Sequence, residues 1–129
     1  MKQELREKLI NKYSKAFTHS DELEISCHDG WYNLIERACG MTQQYLDWNN
    51  IKEEKICQIE FVQIKEKFGG LRLYYNGGDN YIRGVIDMAE GISYVTCEMC
   101  GNSGKSNLEE RRNGENGCIK TRCVNHKDI

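Results

Sequence analysis

The spacing Cys97-Glu98-Met99-Cys100, then 22 residues, then Cys123-Val124-Asn125-His126 constrains this chain more than any other feature. Each pair has two intervening residues, so a tight turn can aim both of its side chains at one point. Three thiols and an imidazole meeting there suit tetrahedral Zn²⁺, which accepts sulfur and nitrogen donors without redox demands. Cys97, Cys100, Cys123 and His126 are therefore the expected ligands of one structural zinc ion, because four protein ligands leave no position open for water or substrate. Gly101 supplies the permissive backbone that lets amides fold back towards the thiolates. Cys118 is the rival: a Cys97/Cys100/Cys118/Cys123 set is chemically acceptable and would leave His126 outside.

Seven cysteines cannot all pair in disulfides. The charged start Met1-Lys2-Gln3-Glu4-Leu5-Arg6-Glu7 lacks the apolar run of a signal peptide, and no stretch reaches the roughly 20 apolar residues of a membrane span. A reduced, cytoplasmic protein with no membrane partner is the expectation. The 129 residues fit one domain, with an α+β core over 1–96 and a zinc module over 97–129.

A formal net charge of −2 excludes a simple polycationic nucleic-acid binder and is too mild for a DNA mimic. Its distribution is uneven: residues 1–17 carry +3 and residues 18–48 carry −5. In the zinc segment Lys105, Arg111, Arg112, Lys120, Arg122 and Lys127 face Glu98, Glu109, Glu110, Glu115 and Asp128. That balance is unlike a groove-reading finger, and 22 residues between ligand pairs exceed the ~12 of a C2H2 finger.

Leu5, Leu9, Tyr13 and Phe17 recur every four residues, which predicts a helix over 3–17. Leu23 to Cys27 alternates as a short extended piece, and Asp29 is the expected cap of a second helix over 31–48, ended by Asn49-Asn50. Gly40 inside that helix marks a close approach or a bend. Residues 56–75 switch to strand chemistry. The change of parity between Phe61 and Val62 predicts a bulge, or a strand buried on both sides, and Gly69-Gly70 predicts the hairpin turn. Asp79 caps a third helix carrying Ile82, Val85, Ile86, Ala89 and Ser93 on one face and delivering the chain to Cys97. The predicted class is α+β: two N-terminal helices, a hairpin or small antiparallel sheet, and a third helix leading into the zinc module.

Three separated pieces, His28-Asp29-Gly30-Trp31-Tyr32-Asn33-Leu34-Ile35, Lys65-Glu66-Lys67-Phe68-Gly69-Gly70-Leu71-Arg72-Leu73-Tyr74, and Cys97-x2-Cys100-Gly101 with Thr121-Arg122-Cys123-x2-His126, resemble in this order a family of small uncharacterised proteins of tailed phages and prophages. The resemblance spans about residues 27–126, with G-D-G-W-[YF]-x-L-I, K-x-K-F-G-G-L-R-F-Y, C-x-x-C-G and T-L-C-x-x-H as the family's pieces. Two departures stand out: His28 replaces the first glycine, and Cys118 sits where family members often carry tryptophan. The second implies that Cys118 packs and His126 ligates. The resemblance implies a phage-type origin rather than an activity.

Cys27-His28-Asp29 invites a catalytic reading, but consecutive side chains diverge and cannot meet as nucleophile, base and orienter. No H-E-x-x-H, G-x-S-x-G or Walker pattern occurs, and too few histidines remain for an HNH-type nuclease. The expectation is a protein that binds rather than catalyses. Lys65, Lys67, Arg72 and Tyr74 are the expected partner-binding residues, on one face of the hairpin, with Phe68 packed beneath it. A phage-type accessory protein of this kind fits inhibition or modulation of a host protein in the host cytosol, such as an immune effector, in an anti-defence (anti-CRISPR-like) role. The alternative is a nucleic-acid-binding module using the basic hairpin and zinc segment, with Tyr74 stacking a base.

Overall fold

The hairpin is the centre against which everything else is placed. In a computed structural model, which describes residues 1–53, 55–108 and 117–129, β2 (Glu60–Lys67) and β3 (Gly70–Asn76) pair antiparallel, and β1 (Ile25–Ser26) joins β2 in parallel, giving the order β1-β2-β3. Among the described residues the α-helices are α1 (Gln3–Lys12), α2 (Tyr32–Ile51) and α3 (Asn80–Ser93). A separate two-stranded ladder, β4 (Lys105–Ser106) with β5 (Thr121–Arg122), belongs to the C-terminal segment. The class is α+β, as the periodicities predict, with three α-helices among the described residues; the small sheet is mixed rather than purely antiparallel, because β1 joins β2 in parallel.

The bulge is real. Phe61 pairs Tyr75 and Gln63 pairs Tyr74, so Val62 has no partner and is exposed, while Ile59, Phe61 and Ile64 are buried. One extra residue lets two stretches of opposite parity bury the same face. Leu71 and Leu73 fill that face from β3 and meet Ile82, Ile86 and Ala89 of α3 in one core with Trp31, Ile35 and Leu46.

β3 is an edge strand, and α3 closes the edge. The Leu71 N–H donates to Ser93 Oγ at 2.9 Å and the Leu73 N–H donates to Glu90 Oε2 at 2.8 Å. Two ladder donors that would otherwise template another strand are thereby satisfied by side chains. Burial raises the Glu90 carboxyl above its ordinary value, and the Leu73 N–H opposes that rise.

Several boundaries differ from the sequence reading. The helix expected over 3–17 stops at Lys12 and continues as a tight 3₁₀ turn, Ser14–Ala16, which still buries Tyr13, Ala16 and Phe17. Asp29 does not cap α2. Its carboxylate accepts the Lys2 N–H at 2.8 Å, and Asp29–Trp31 form a 3₁₀ turn that leads into the helix. α2 runs past Asn49-Asn50 to Ile51, because Asn49 back-bonds to Tyr45 O and Asn50 bonds the Ile56 backbone instead of breaking the helix. Gly40 is a close approach: a Cβ there would stand 2.9 Å from Tyr13 Oη. Asp79 caps α3 through the Ile82 N–H at 3.2 Å, as expected.

The hairpin turn is Phe68-Gly69, not Gly69-Gly70. Both residues have positive φ, 52° and 83°, the geometry of a two-residue primed turn. Phe68 is consequently not packed beneath the hairpin but 65% exposed at its tip. Gly70 lies within β3, where a Cβ would come within 2.4 Å of the Tyr94 ring.

Candidate metal centre

Two turns build the site. In the first, Gly101 N–H donates to Cys97 O at 2.9 Å, and Gly101 takes φ +81°. In the second, His126 N–H donates to Cys123 O at 3.1 Å. Each turn brings its two ligands together, and the turns face one another.

The donor atoms of Cys97, Cys100, Cys123 and His126 lie within 4.8 Å of one another. Cys100 Sγ is 3.7 Å from Cys123 Sγ, and His126 Nδ1 is 3.7 Å from Cys97 Sγ and 3.1 Å from Cys123 Sγ. Thiolates bound at about 2.3 Å to a single tetrahedral ion stand about 3.8 Å apart, so the donor set fits a metal ion. Cys118 does not join this Cys/His cluster, and it is exposed rather than the packing residue that the resemblance implies.

The thiols are poised unequally. Burial opposes ionisation of Cys97, but hydrogen bonds from the backbone of Cys123, Cys100 and Met99 bring its thiol down to about 6. At Cys100 the Asn102 backbone favours the thiolate, yet burial and the neighbouring Cys123 and Cys97 leave the thiol raised. Crowded thiols resist joint deprotonation, and a bound cation is what relieves that resistance.

The segment around the site is locked to the rest of the chain by groups that carry no periodic signal. Glu98 is 4% exposed; its Oε2 accepts the His28 N–H at 3.1 Å and its Oε1 meets Arg122 Nη1 at 3.0 Å. Glu98 O accepts the Gly30 N–H at 2.7 Å, and Trp31 Nε1 donates to Thr96 O at 2.9 Å. Thr121 Oγ1 donates to Gly69 O at 2.6 Å, tying the hairpin tip to β5. The three pieces that stand apart in the sequence thus converge on one junction: Gly30-Trp31, Gly69 and the turn at Cys97.

The hairpin residues are placed as their alternation predicts, and Lys65 is directly opposite Arg72. Lys65 Nζ lies 5.9 Å from the Tyr74 ring centre, and Lys67 and Tyr74 are exposed. Arg72 is different. Its guanidinium donates to Tyr94 Oη at 2.6 Å and to Leu71 O at 2.9 Å, so it also braces the end of α3. Cys27 is buried, and burial pushes its thiol up to about 12, which removes it as a nucleophile. Of the charges counted in the C-terminal segment, Glu109, Glu110, Arg111, Arg112 and Glu115 lie outside the described residues. Among the described residues no helix is long and apolar enough to cross a membrane.

Compared with known proteins, the chain matches no family model, and no curated protein and no solved structure matches it significantly.

Proposed function

We propose that this chain is a zinc-stapled binding protein whose outward hairpin face engages a host protein. Zinc is the ion favoured by three thiolates and one imidazole at tetrahedral spacing, and four protein ligands give it a structural role. The observation that carries the binding reading is the character of the hairpin face. Phe68, Val62 and Tyr74 are 65%, 49% and 38% exposed, with Lys65 and Lys67 among them. Exposed aromatic groups such as Phe68 and Tyr74, with Arg72 beside them, are of the residue types enriched where proteins bind proteins. The phage-type motifs support an accessory role in the host cytosol, where the protein inhibits or modulates a host protein such as an immune effector, in an anti-CRISPR-like manner and without catalysis of its own.

The test is a paired measurement. Lys65→Glu with Tyr74→Ala is the better probe of this face, because Arg72 braces Tyr94 and its loss disturbs the fold as well. The double variant is expected to keep one zinc per chain and native circular dichroism while losing host-protein capture and inhibition of host defence. Full inhibition by the variant sinks the reading.

A second reading rests on a different cleft. Lys105, Lys120 and Lys127, with Ser106 and Asn107, line a cavity of about 180 Å³ beside Cys123; Arg122, also in its wall, has its charge met by Glu98 at 3.0 Å. Such a cluster suits phosphate groups of a nucleic acid. Salt-sensitive retardation of short DNA or RNA, lost in Lys105→Glu, favours this reading over the first.

A further inference from the structure

The outward face of α3 leaves Gly84, Met88 and Gly91 open to solvent, flanked by the charged Arg83 and Asp87 and by Tyr81, whose ring stacks on Tyr45 at 4.1 Å. With α2 it forms a groove of about 490 Å³ whose lining includes Leu34, Ala38, Met41, Tyr81, Gly84 and Met88. Met41, Trp48, Tyr81, Met88 and Ile92 are 46%, 60%, 49%, 65% and 40% exposed. With aromatic side chains of ~150–250 Å² each, these five leave roughly 600 Å² of largely apolar surface open, the top of the range for a monomer. It approaches the ~800 Å² that each partner contributes to a stable interface.

The pattern on α3 says what covers it. Tyr81, Gly84, Met88 and Gly91 fall at the alternating three- and four-residue spacing of a helix–helix seam, opposite the buried Ile82, Ile86, Ala89 and Ser93. A Cβ at Gly84 or at Gly91 would meet nothing within 4 Å, so neither glycine is required by the chain's own packing. Both nevertheless weaken the helix. Now lay a second α3 antiparallel across the first, with the two-fold axis at the level of Ile86. Tyr81 then falls opposite Gly91 of the other copy, and Gly84 opposite its Met88. Every large side chain of the seam meets a glycine, in both directions, under one operation. A heterologous helix would have to match this order by its own sequence; a second copy matches it automatically.

We propose that the chain forms a two-fold homodimer through α3, with Met88 of each copy entering the α2/α3 groove over Gly84 of the other. The charges beside the seam are Arg37, paired with Glu36 at 2.6 Å, and the exposed Arg83 and Asp87, which flank Gly84 and Met88 on α3. The interface lies on α2 and α3, and its existence does not depend on the hairpin reading.

Sedimentation equilibrium of the zinc-loaded chain at micromolar concentration is expected to give a dimer. Met88→Glu should raise its dissociation constant by roughly 30-fold or more, with helical circular dichroism and metal content unchanged. Gly84→Met places methionine against methionine, and Met88→Gly places hole against hole, so each alone should weaken the dimer. The double exchange Gly84→Met/Met88→Gly restores the match and should restore association. A monomer throughout, which would free the groove for another protein's helix, overturns the proposal. So does a dimer indifferent to Met88→Glu, or a double exchange as weak as its parents.

Discussion

Gly30 lies against the peptide that joins two residues of the metal turn: a Cβ at this position would stand 2.3 Å from Cys97 O and 2.4 Å from Glu98 O. Backbone carbonyls held by their own hydrogen bonds cannot retreat as a flexible side chain can. The entry to α2 and the turn bearing the first two ligands are therefore one rigid unit. Gly30→Ala is expected to destabilise the protein by about 2–4 kcal/mol and to weaken metal retention. Chemical denaturation with a parallel metal assay checks both, and unchanged stability would mean that this junction relaxes freely.

The ligand set makes a sharper prediction. Cys123→Ser and His126→Ala should lose the metal, and Cys118→Ser should keep it. Alkylation gives the same answer without mutation. In the loaded protein Cys57 and Cys118, exposed and outside the ligand set, should react first. Chelation should then open Cys97, Cys100 and Cys123, while Cys27 and Cys39 wait for unfolding because burial raises both of their thiols. Rapid labelling of Cys27 in the loaded state would contradict the packing described here.

The parts legible in the sequence are those written in a local period or spacing. Hydrophobic recurrence marks α2 and α3, the parity change at Phe61/Val62 marks the bulge, and paired two-residue gaps mark the Cys/His cluster that could hold a metal ion. The parts missed are decided by distant partners. Asp29 reads as a helix cap, yet the Lys2 N–H, 27 positions away, takes its carboxylate. Gly69-Gly70 reads as the turn because glycine is the default at positive φ, but Gly70 is small to admit the Tyr94 ring. Glu98 and Arg122 enter the sequence reading only in the charge balance of the C-terminal segment, yet they are buried against each other, with side chains only 5% and 8% exposed.

That buried pair can be tested directly. Glu98→Ala leaves Arg122 charged and enclosed, and removes the acceptor of the His28 N–H, so a loss of about 3–5 kcal/mol is expected. Replacing both by apolar residues, Glu98→Leu with Arg122→Met, should recover a substantial part of the loss, because the desolvated charge is gone. Equal instability of the single and double variants would place the energy in the His28 contact instead.

Acid should loosen the seam between α1 and α2. The Arg37 guanidinium first, then the Tyr13 hydroxyl and Lys12, hold the Glu36 carboxyl well below the usual carboxylate range, although burial opposes them. A depressed folded-state pKa adds stability that is complete above the ordinary value of 4.5 and drains away as pH falls below it. Arg37 and Lys12 are largely exposed, so solvent screening holds the contribution to about 1–2 kcal/mol. Glu36→Gln should remove it near neutral pH and flatten the acid limb of the stability profile. An unchanged profile would show that Tyr13 and Lys12 find equivalent partners.

Phe68 sets stability against function. A bulky residue at φ +52° is strained, since only glycine and asparagine enter the left-handed region readily. Its ring is 65% exposed, so the fold gains little from keeping it. On the proposed binding reading, this exposed and strained aromatic is an anchor for the partner. Phe68→Asn creates the Asn-Gly turn that this geometry favours and is expected to stabilise the chain by about 0.5–1 kcal/mol. The same substitution should weaken host-protein binding by roughly tenfold or more, as loss of an exposed aromatic anchor does. Thermal melts and titration against the captured partner read the two effects separately. Should Phe68→Asn raise stability and leave binding intact, the hairpin tip is scaffold, and Tyr74 with Lys65 must carry the contact alone.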